Sequence, residues 1–176
     1  MSSTTPVTCI CPGVFDPVTF GHIDVITRAA GIFERVIVGV VGESRHKTAM
    51  FSVEERVVFL DEALDKVDNV QVEVFSELVV EFARRFAAKT MVKGLRVISD
   101  FEWEFQMNHL NRSLAPEIET MFLMSSPQYS FVSSSGVKEI ASFGGKVDEL
   151  VPAAVARRFR ELFPQGRPGA PVSPQE

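Results

Sequence analysis

The sequence predicts a single doubly wound, Rossmann-like α/β domain, in which helices cover both faces of a five-stranded parallel sheet. Short apolar runs, several of them rich in β-branched residues, alternate along the chain with longer segments of helical periodicity. Segments in this order form βαβ units with right-handed crossovers, which build parallel sheets. A chain of 176 residues has the usual size of one such domain.

The pattern begins with Val7–Cys11, an apolar run that predicts a strand, and continues with the amphipathic helix Gly21–Phe33. Arg35–Val41 is a β-branched run typical of a buried strand. The next helix, Ser52–Lys66, opens with a capping box, in which a serine is followed three residues later by a glutamate. Each of these strands is therefore followed by a helix, as a βαβ unit requires.

The same alternation continues to the end of the domain. Three more strands are expected, at Val70–Phe75, Thr90–Lys93 and Ile118–Met124. Four more helices are expected, at Glu77–Ala88, Asp100–Leu114, Ser134–Ser142 and Val147–Leu162. We therefore assign residues 1–163 to the domain. Residues 164–176 contain four of the ten prolines, and we expect them to form a disordered tail.

The composition argues against several classes of protein. Hydrophobic residues make up 45% of the chain and charged residues 23%, which is typical of a soluble globular protein and not of a disordered or fibrous one. The formal charge of −5 argues against a nonspecific nucleic-acid binder and against a protein that binds the membrane surface. The sequence has no run of about 18 apolar residues that would predict a membrane span.

The two cysteines, Cys9 and Cys11, lie within the first apolar run and are interpreted as core thiols. Two cysteines within one strand do not indicate a disulfide framework. The three histidines are far apart in the sequence, so a zinc site is not indicated either. Residues Met1–Pro6 show no signal-peptide pattern. These observations favour a reducing compartment, and we expect the protein to be cytoplasmic.

The first predicted strand runs into Pro12–His22, the stretch that says most about function. Ligands of doubly wound sheets bind beyond the carboxyl ends of the strands, which is where this loop lies. Gly13 lets the backbone approach a ligand closely, and Thr19 is placed to cap the helix that follows. Free N–H groups at a helix start favour a phosphate, and His22 in the first turn can donate a further hydrogen bond. This spacing is compatible with a phosphate site, although a loop of glycine and proline before a helix is by itself more often only a turn.

Other nucleotide-binding and hydrolase motifs are missing from the sequence. It contains no G-x-x-x-x-G-K-[ST] loop, no G-x-G-x-x-G after a strand, no G-x-S-x-G and no H-E-x-x-H. It does contain T-x-G-H at positions 19–22, which resembles the T/H-x-G-H signature of the nucleotidyltransferase superfamily. That superfamily includes the class I aminoacyl-tRNA synthetases, but the chain is too short for one and has no K-M-S-K-S-like segment.

Three blocks of sequence narrow the resemblance to one family. They are P-G-x-F-D-P-x-T-x-G-H-x-D from position 12, K-G-L-R followed by D-F-E-x-E within 93–104, and Y-S-F-V-S-S-S at 129–135. Together they are similar to the bacterial phosphopantetheine adenylyltransferases over nearly all of residues 7–163. The resemblance implies an enzyme that joins 4′-phosphopantetheine to the AMP part of ATP. The products would be dephospho-coenzyme A and pyrophosphate, in the penultimate step of coenzyme A biosynthesis.

The residue types fit that reaction. The attacking group would be a phosphate monoester, whose second pKa of about 6 leaves it largely ionised at neutral pH, so no strong general base is needed. The protein has to position two substrates and stabilise charge on the α-phosphate and on the leaving pyrophosphate. Lys93 and Arg96 lie three residues apart and can reach different phosphates. The resemblance implies that His22 stabilises the transition state at the α-phosphate.

The resemblance also implies which residues contact the two substrates. For 4′-phosphopantetheine they are Val14, Lys47, Val79 and Lys93. For ATP they are Val14, Phe15, His22, Gly94, Leu95, Arg96, Glu104, Tyr129, Ser130, Phe131, Val132, Ser133, Ser134 and Ser135. Mg²⁺ is expected to enter with the ATP phosphates, since no carboxylate cage and no protein metal ligand is evident. The same resemblance implies a homohexamer, whereas the net charge is the reason to expect no nucleic-acid or membrane partner.

Val14 departs from the family pattern, which usually has Ser or Thr here with its hydroxyl on a substrate phosphate. That hydrogen bond, worth roughly 1–3 kcal/mol when the acceptor is charged, is missing. Val14 is the one feature that favours an alternative, a non-catalytic sensor of nucleotides or coenzyme A. Another alternative is a T-x-G-H transferase whose acceptor is nicotinamide mononucleotide or glycerol phosphate, although the second and third sequence blocks argue against it.

Overall fold

The computed structural model describes residues 7–42 and 49–164, and they form a five-stranded sheet flanked by helices. The strands are β1 (Thr8–Gly13), β2 (Arg35–Val41), β3 (Val70–Phe75), β4 (Thr90–Leu95) and β5 (Glu119–Met124). The α-helices are α1 (Phe20–Ala30), α2 (Val53–Leu64), α3 (Val79–Arg85), α4 (Ile98–Leu114), α5 (Ser134–Ser142) and α6 (Ala153–Leu162). A short 3-10 helix, Pro127–Tyr129, lies between β5 and α5.

All neighbouring strands of the sheet are parallel, and their order is β3-β2-β1-β4-β5. The chain therefore winds from β1 outward to β3, then returns to the other side of β1 to add β4 and β5. The winding reverses between β1 and β4, and in sheets of this kind ligands bind beyond the carboxyl ends of the strands at that point. The predicted doubly wound fold is confirmed.

The central strands are buried on both faces, which explains their near-continuous apolar sequences. On one face the sheet packs against α1, α2, α5 and α6, through side chains such as Val25, Phe59 and Phe159. On the other face it packs against α3. Gly39 in β2 is required there, because a Cβ at this position would lie 2.5 Å from Cε1 of Phe82. The sheet is thus enclosed between two layers of helices.

Two of the helices that depart from their predicted limits do so for identifiable reasons. The expectation of a helix from Val147 is wrong in its first part, since α6 begins only at Ala153. Proline disfavours helical backbone in the residue before it, and Pro152 therefore sets the start of α6. α3 ends at Arg85 instead of continuing to 88, because Ala87 has left-handed backbone with φ 52°. Neither difference moves a predicted site residue out of its element.

The strand before the K-G-L-R motif is longer than predicted. β4 continues past Lys93 to Leu95, so the lysine and Gly94 belong to the strand itself and only Arg96 follows it. α4 begins at Ile98, two residues before the predicted start. The motif therefore spans the end of a strand and the turn into a helix.

None of the helices in the described ranges has the length and apolar character needed to cross a membrane. Cys9 and Cys11 are both buried and free, which confirms their interpretation as core thiols. The predicted tail lies outside the described residues from position 165 onward, so its disorder stays a prediction.

Candidate active site

A cleft opens at the carboxyl ends of β1 and β4, where the winding of the sheet reverses. Its cavity has a volume of about 830 Å³, which falls in the range of small-molecule and cofactor sites. Most of the residues predicted to contact the two substrates line it. They are Val14, Phe15, His22, Val79, Lys93, Gly94, Arg96, Glu104, Val132, Ser133, Ser134 and Ser135. The fold thus brings segments from both halves of the chain to one site.

Some predicted contacts lie elsewhere. Leu95 is buried at the end of β4, and Tyr129 packs its ring against the first residue of α1. Ser130 donates a hydrogen bond within its own turn, and the Phe131 side chain is 74% exposed. Lys47 lies outside the described residues. The roles of these five residues toward the substrates stay predictions.

His22 is held in a capping box at the start of α1. Its Nδ1 accepts a hydrogen bond from the Thr19 backbone N–H at 3.0 Å, while the Thr19 side chain caps the His22 backbone N–H. The ring of Phe15 packs edge-on against the imidazole, with centroids 5.2 Å apart. Because Nδ1 accepts, the proton of the neutral ring sits on Nε2, and Nε2 is the ring nitrogen left for a ligand in the cleft. His22 is therefore a fixed hydrogen-bond donor.

Burial, together with the nearby positive charge of Arg96, lowers the pKa of His22 to about 4. We expect the ligand-free imidazole to stay neutral between about pH 5.5 and pH 8, which an NMR titration of the His22 ring measures. A group with a lowered pKa binds fewer protons in the folded than in the unfolded chain. The free energy of unfolding should therefore decrease as the pH falls from about 6.5 to about 4, and decrease less in His22→Gln. A His22 midpoint near 6.5 would contradict this expectation.

Arg96 joins three parts of the cleft. Its guanidinium makes a two-pronged contact with Asp100, with Nε and Nη2 each 3.0 Å from a carboxylate oxygen. Its Nη1 donates to the Val132 carbonyl at 2.8 Å. Burial would raise the pKa of Asp100, but the hydrogen bonds from Arg96 outweigh this effect and hold that pKa below its usual value. These bonds use three of the five guanidinium N–H groups, which leaves two for an anion.

Lys93 is paired in the same way, with its Nζ 3.3 Å from a carboxylate oxygen of Glu104. Glu104 lies one turn after Asp100 on α4, so one face of this helix carries both acidic partners. Lys93 and Arg96 are therefore held at the cleft before any substrate binds. The sequence predicts the two cations at the site, but it does not predict that Asp100 fixes one of them.

The serine segment forms the far wall of the cleft. The Ser133 hydroxyl accepts from the Gly136 N–H at 3.0 Å and is the N-cap of α5. The Ser134 hydroxyl donates to the Pro17 carbonyl at 2.8 Å and so ties α5 to the loop before His22. The start of α5 and its serines thus supply donors of the kind that bind phosphates.

Two carboxylates that sequence reasoning did not single out hold this site together. Asp16 accepts from the N–H groups of Met50 and Phe51 at 3.0 and 2.9 Å, and its oxygen lies 2.6 Å from Nζ of Lys138. Burial would raise the pKa of Asp16, but the bonds from Lys138 and the backbone hold it below its usual value. Asp16 therefore fastens the loop after β1 to the start of α2 and to α5.

Asp24 makes a comparable connection from α1 to the loop that follows the edge strand β5. It accepts from both the hydroxyl and the N–H of Ser126, at 2.8 and 3.2 Å. Arg28, one turn later, pairs with Asp24 and donates to the Met124 carbonyl at 2.7 Å. Asp24 is part of the first sequence block, but only the fold reveals its contact with Ser126, which lies 102 residues away.

Residues 10–140 match the model of the cytidylyltransferase-like family. Curated relatives named phosphopantetheine adenylyltransferase match most of the chain. The relative from Caldanaerobacter subterraneus subsp. tengcongensis is 50% identical, with 88% of this chain and 96% of the relative covered. The relative from Synechococcus sp. (strain JA-2-3B'a(2-13)) is 52% identical, with 87% and 96% covered, and that from Thermosynechococcus vestitus is 51% identical, with 89% and 92% covered.

A solved structure shares the fold at much lower identity. It is a protein from Vibrio parahaemolyticus assigned as a nicotinate-nucleotide adenylyltransferase, with a TM-score of 0.66 and 15% sequence identity. The match covers 90% of this chain and 93% of that one. A likeness at this identity shows the doubly wound architecture and says nothing about the acceptor substrate.

Proposed function

This chain belongs to the phosphopantetheine adenylyltransferase family, whose members are enzymes of coenzyme A biosynthesis, and we propose that its cleft is where the adenylyl group of ATP is transferred to 4′-phosphopantetheine. The observation that carries this proposal is the convergence of a neutral His22 donor with Lys93 and Arg96 in one cavity at the reversal point of the sheet. The products are dephospho-coenzyme A and pyrophosphate.

The two substrates are assigned to different residues of the cleft. In this proposal the ATP phosphates lie along Arg96 and the start of α5, where N–H and hydroxyl donors are concentrated. The phosphate of 4′-phosphopantetheine lies at Lys93, and its apolar arm follows Val79 and the neighbouring Met107, which line the same cavity. In this arrangement the phosphates of both substrates contact cationic residues, and the apolar arm contacts apolar residues.

The transfer forms one phosphorus–oxygen bond and breaks another. An oxygen of the phosphopantetheine phosphate attacks the α-phosphorus, and the bond from the α-phosphorus to the bridging oxygen of pyrophosphate breaks. His22 donates its Nε2 hydrogen bond to the α-phosphate oxygens as negative charge grows on them, and Arg96 adds its positive charge. Both donors are fixed beforehand, His22 by Thr19 and Arg96 by Asp100, so neither has to reorganise during the reaction.

Mg²⁺ enters this proposal as part of the MgATP substrate. Among the residues that the structure describes, no group of three or more His, Cys, Asp or Glu side chains is arranged to hold a metal ion. Two of the acidic residues that line the cleft, Asp100 and Glu104, already pair with Arg96 and Lys93. A metal ion held chiefly by the nucleotide phosphates fits this arrangement.

Pyrophosphate release from MgATP tests the proposal. The expected result is release that depends on 4′-phosphopantetheine, with none when nicotinamide mononucleotide or glycerol phosphate replaces it as acceptor. Release with one of those acceptors alone would support the other T-x-G-H transferases. Binding of ATP without release with any acceptor would support the non-catalytic sensor. Either outcome would overturn the proposed reaction.

The enzyme assembles as a homohexamer in this proposal. The support comes from α4, all of which is described: none of its 17 residues is buried. Ile98 is 81% exposed, Trp103 64% and Leu110 58%, an unusual apolar surface for a single chain. Sedimentation equilibrium should give six times the chain mass of 19.5 kDa. A mass equal to one chain at micromolar concentration would contradict the assembly. Leu110→Glu is expected to give a lower mass than the wild-type protein.

A cytoplasmic location is also part of the proposal. The support is the pair of free, buried thiols Cys9 and Cys11, a pattern typical of proteins in reducing compartments. Fractionation of cells that carry the tagged chain tests it.

A further inference from the structure

Arg56 lies on the first turn of α2, directly beneath the loop that joins β1 to α1. Its side chain is almost completely buried, with 3% of the residue exposed. A buried guanidinium is costly unless its N–H groups are hydrogen-bonded. In the part of the chain that the structure describes, all its hydrogen bonds go to backbone carbonyls and none goes to a carboxylate.

The carbonyls that accept from Arg56 belong to three segments. Nη1 donates to Val14 at 2.7 Å and to Val41 at 2.9 Å, and Nη2 donates to Gly42 at 3.4 Å. Nε donates to Ser52 at 3.3 Å. One side chain therefore joins the loop after β1, the end of β2 and the start of α2.

The shortest of these bonds fixes the orientation of a whole peptide group. The Val14 carbonyl and the Phe15 N–H belong to the same trans peptide, so they point in opposite directions. Because the carbonyl points at the buried Arg56, the N–H points away from Arg56, and both residues of this peptide line the cleft. Among residues 7–42 and 49–164, this N–H has no hydrogen-bond partner.

The backbone at Phe15 also shows that this orientation is imposed. Phe15 has φ 52°, in the left-handed region that bulky side chains rarely adopt. A Cβ at Gly13 would lie 2.9 Å from the Phe15 ring, so the glycine leaves room for this conformation. The loop is therefore held in a shape that its own sequence does not favour, by Arg56 together with the contacts of Asp16.

We propose that Arg56 is a positioning residue, which holds the Val14–Phe15 peptide group with its N–H directed at a phosphate of the bound nucleotide. This inference rests on the proposed function, since it takes ATP as the ligand. A backbone donor held in place before the ligand arrives needs no reorganisation on binding. It also supplies a donor next to position 14, where this chain has no hydroxyl.

The test measures ATP binding to the full chain by calorimetry, without an acceptor, so that turnover plays no part. Arg56→Met should raise the Kd for ATP by about 10-fold to 100-fold, the loss expected when a hydrogen bond to a charged group is misdirected. The Kd for adenosine, which lacks phosphates, should change less than about twofold. In the wild type the Phe15 amide proton should shift downfield when ATP is added, and this shift should be lost in Arg56→Met.

Leu64→Ala is the matched control, because Leu64 lies on the same helix, is buried and does not line the cleft. It should lower Tm and leave the Kd for ATP unchanged. Arg56→Lys keeps the charge with fewer donors and should give an intermediate Kd. If Arg56→Met does not fold, the lysine variant decides the matter.

Several results would overturn the proposal. One is wild-type ATP binding in a folded Arg56 variant, and another is an unchanged Phe15 shift in that variant. Equal losses for ATP and adenosine, or an equal loss of ATP affinity in Leu64→Ala, would show that Arg56 serves only the fold. A wild-type chain that does not bind ATP would overturn it as well. A chain that binds ATP but does not use 4′-phosphopantetheine would contradict the proposed function and leave the role of Arg56 intact.

Discussion

Replacing His22 by alanine is expected to lower kcat by about 10²-fold to 10³-fold, the usual effect of removing one donor that stabilises transition-state charge. Binding of ATP should change only a few-fold, because Arg96 and the start of α5 remain. The expectation follows from the geometry of the ring, in which Nδ1 is occupied by the Thr19 N–H and Nε2 faces the ligand. Steady-state kinetics and calorimetry on the same preparations measure both quantities.

Two amide variants make this test sharper. The glutamine N–H₂ lies close to the Nε2 position of histidine, whereas the asparagine N–H₂ lies closer to Nδ1. His22→Gln should therefore keep more of the kcat than His22→Asn, although both carry the same group. If kcat and ATP affinity fall by the same factor in His22→Ala, the residue is a binding residue and not a transition-state stabiliser.

Replacing Arg96 by alanine is expected to raise the KM for ATP by about 10-fold to 100-fold, as the loss of one charged donor to a phosphate predicts. The same change removes the contact to the Val132 carbonyl and leaves Asp100 unpaired at the cleft. An unpaired carboxylate repels the ATP phosphates and adds to the loss. KM values for ATP and for 4′-phosphopantetheine, measured separately, should show the larger change for ATP.

Arg28→Ala is a suitable control for that experiment. Arg28 also pairs with an aspartate one turn away and donates to a backbone carbonyl, at Met124, but it does not line the cleft. Arg28→Ala should lower Tm about as much as Arg96→Ala does. It should leave the KM for ATP within about twofold of the wild-type value. An equal rise in KM in both variants would mean that Arg96 acts only through the fold.

The elements that could be predicted from the sequence are those whose signals are local. The capping box at Ser52 and the β-branched run of β2 lie within a few residues, and both are found where predicted. The predicted start of α6 is wrong because the apolar periodicity continues upstream of Pro152. Val151 in this upstream segment is buried, although it does not belong to the helix. Periodicity reports burial, and burial is not limited to helices.

The same distinction separates the parts of the site. Gly13, Thr19 and His22 lie within ten consecutive residues, so one local motif is enough to indicate the nucleotide site by resemblance. Asp16 acts through residues 34 to 122 positions away, and the shortest bond of Arg56 reaches a residue 42 positions away, so no local pattern identifies these partners. Arg96 and Asp100 are only four residues apart in the sequence. Acidic and basic residues at this spacing are also common on exposed helices, so the spacing does not by itself indicate a site.

The pairing of Lys93 and Arg96 with two carboxylates of α4 has a consequence for which anions the cleft admits. Asp100 and Glu104 are tethered beside these cations, so they act at a high effective concentration. Chloride or a lone phosphate has to compete with them one charge at a time and gains little. The triphosphate of ATP brings several charges to Arg96, and the phosphate of 4′-phosphopantetheine comes to Lys93 together with an apolar arm that binds elsewhere in the cleft. The ion pairs of α4 are therefore expected to exclude small anions and to give way only to ligands that bring several charges or make further contacts.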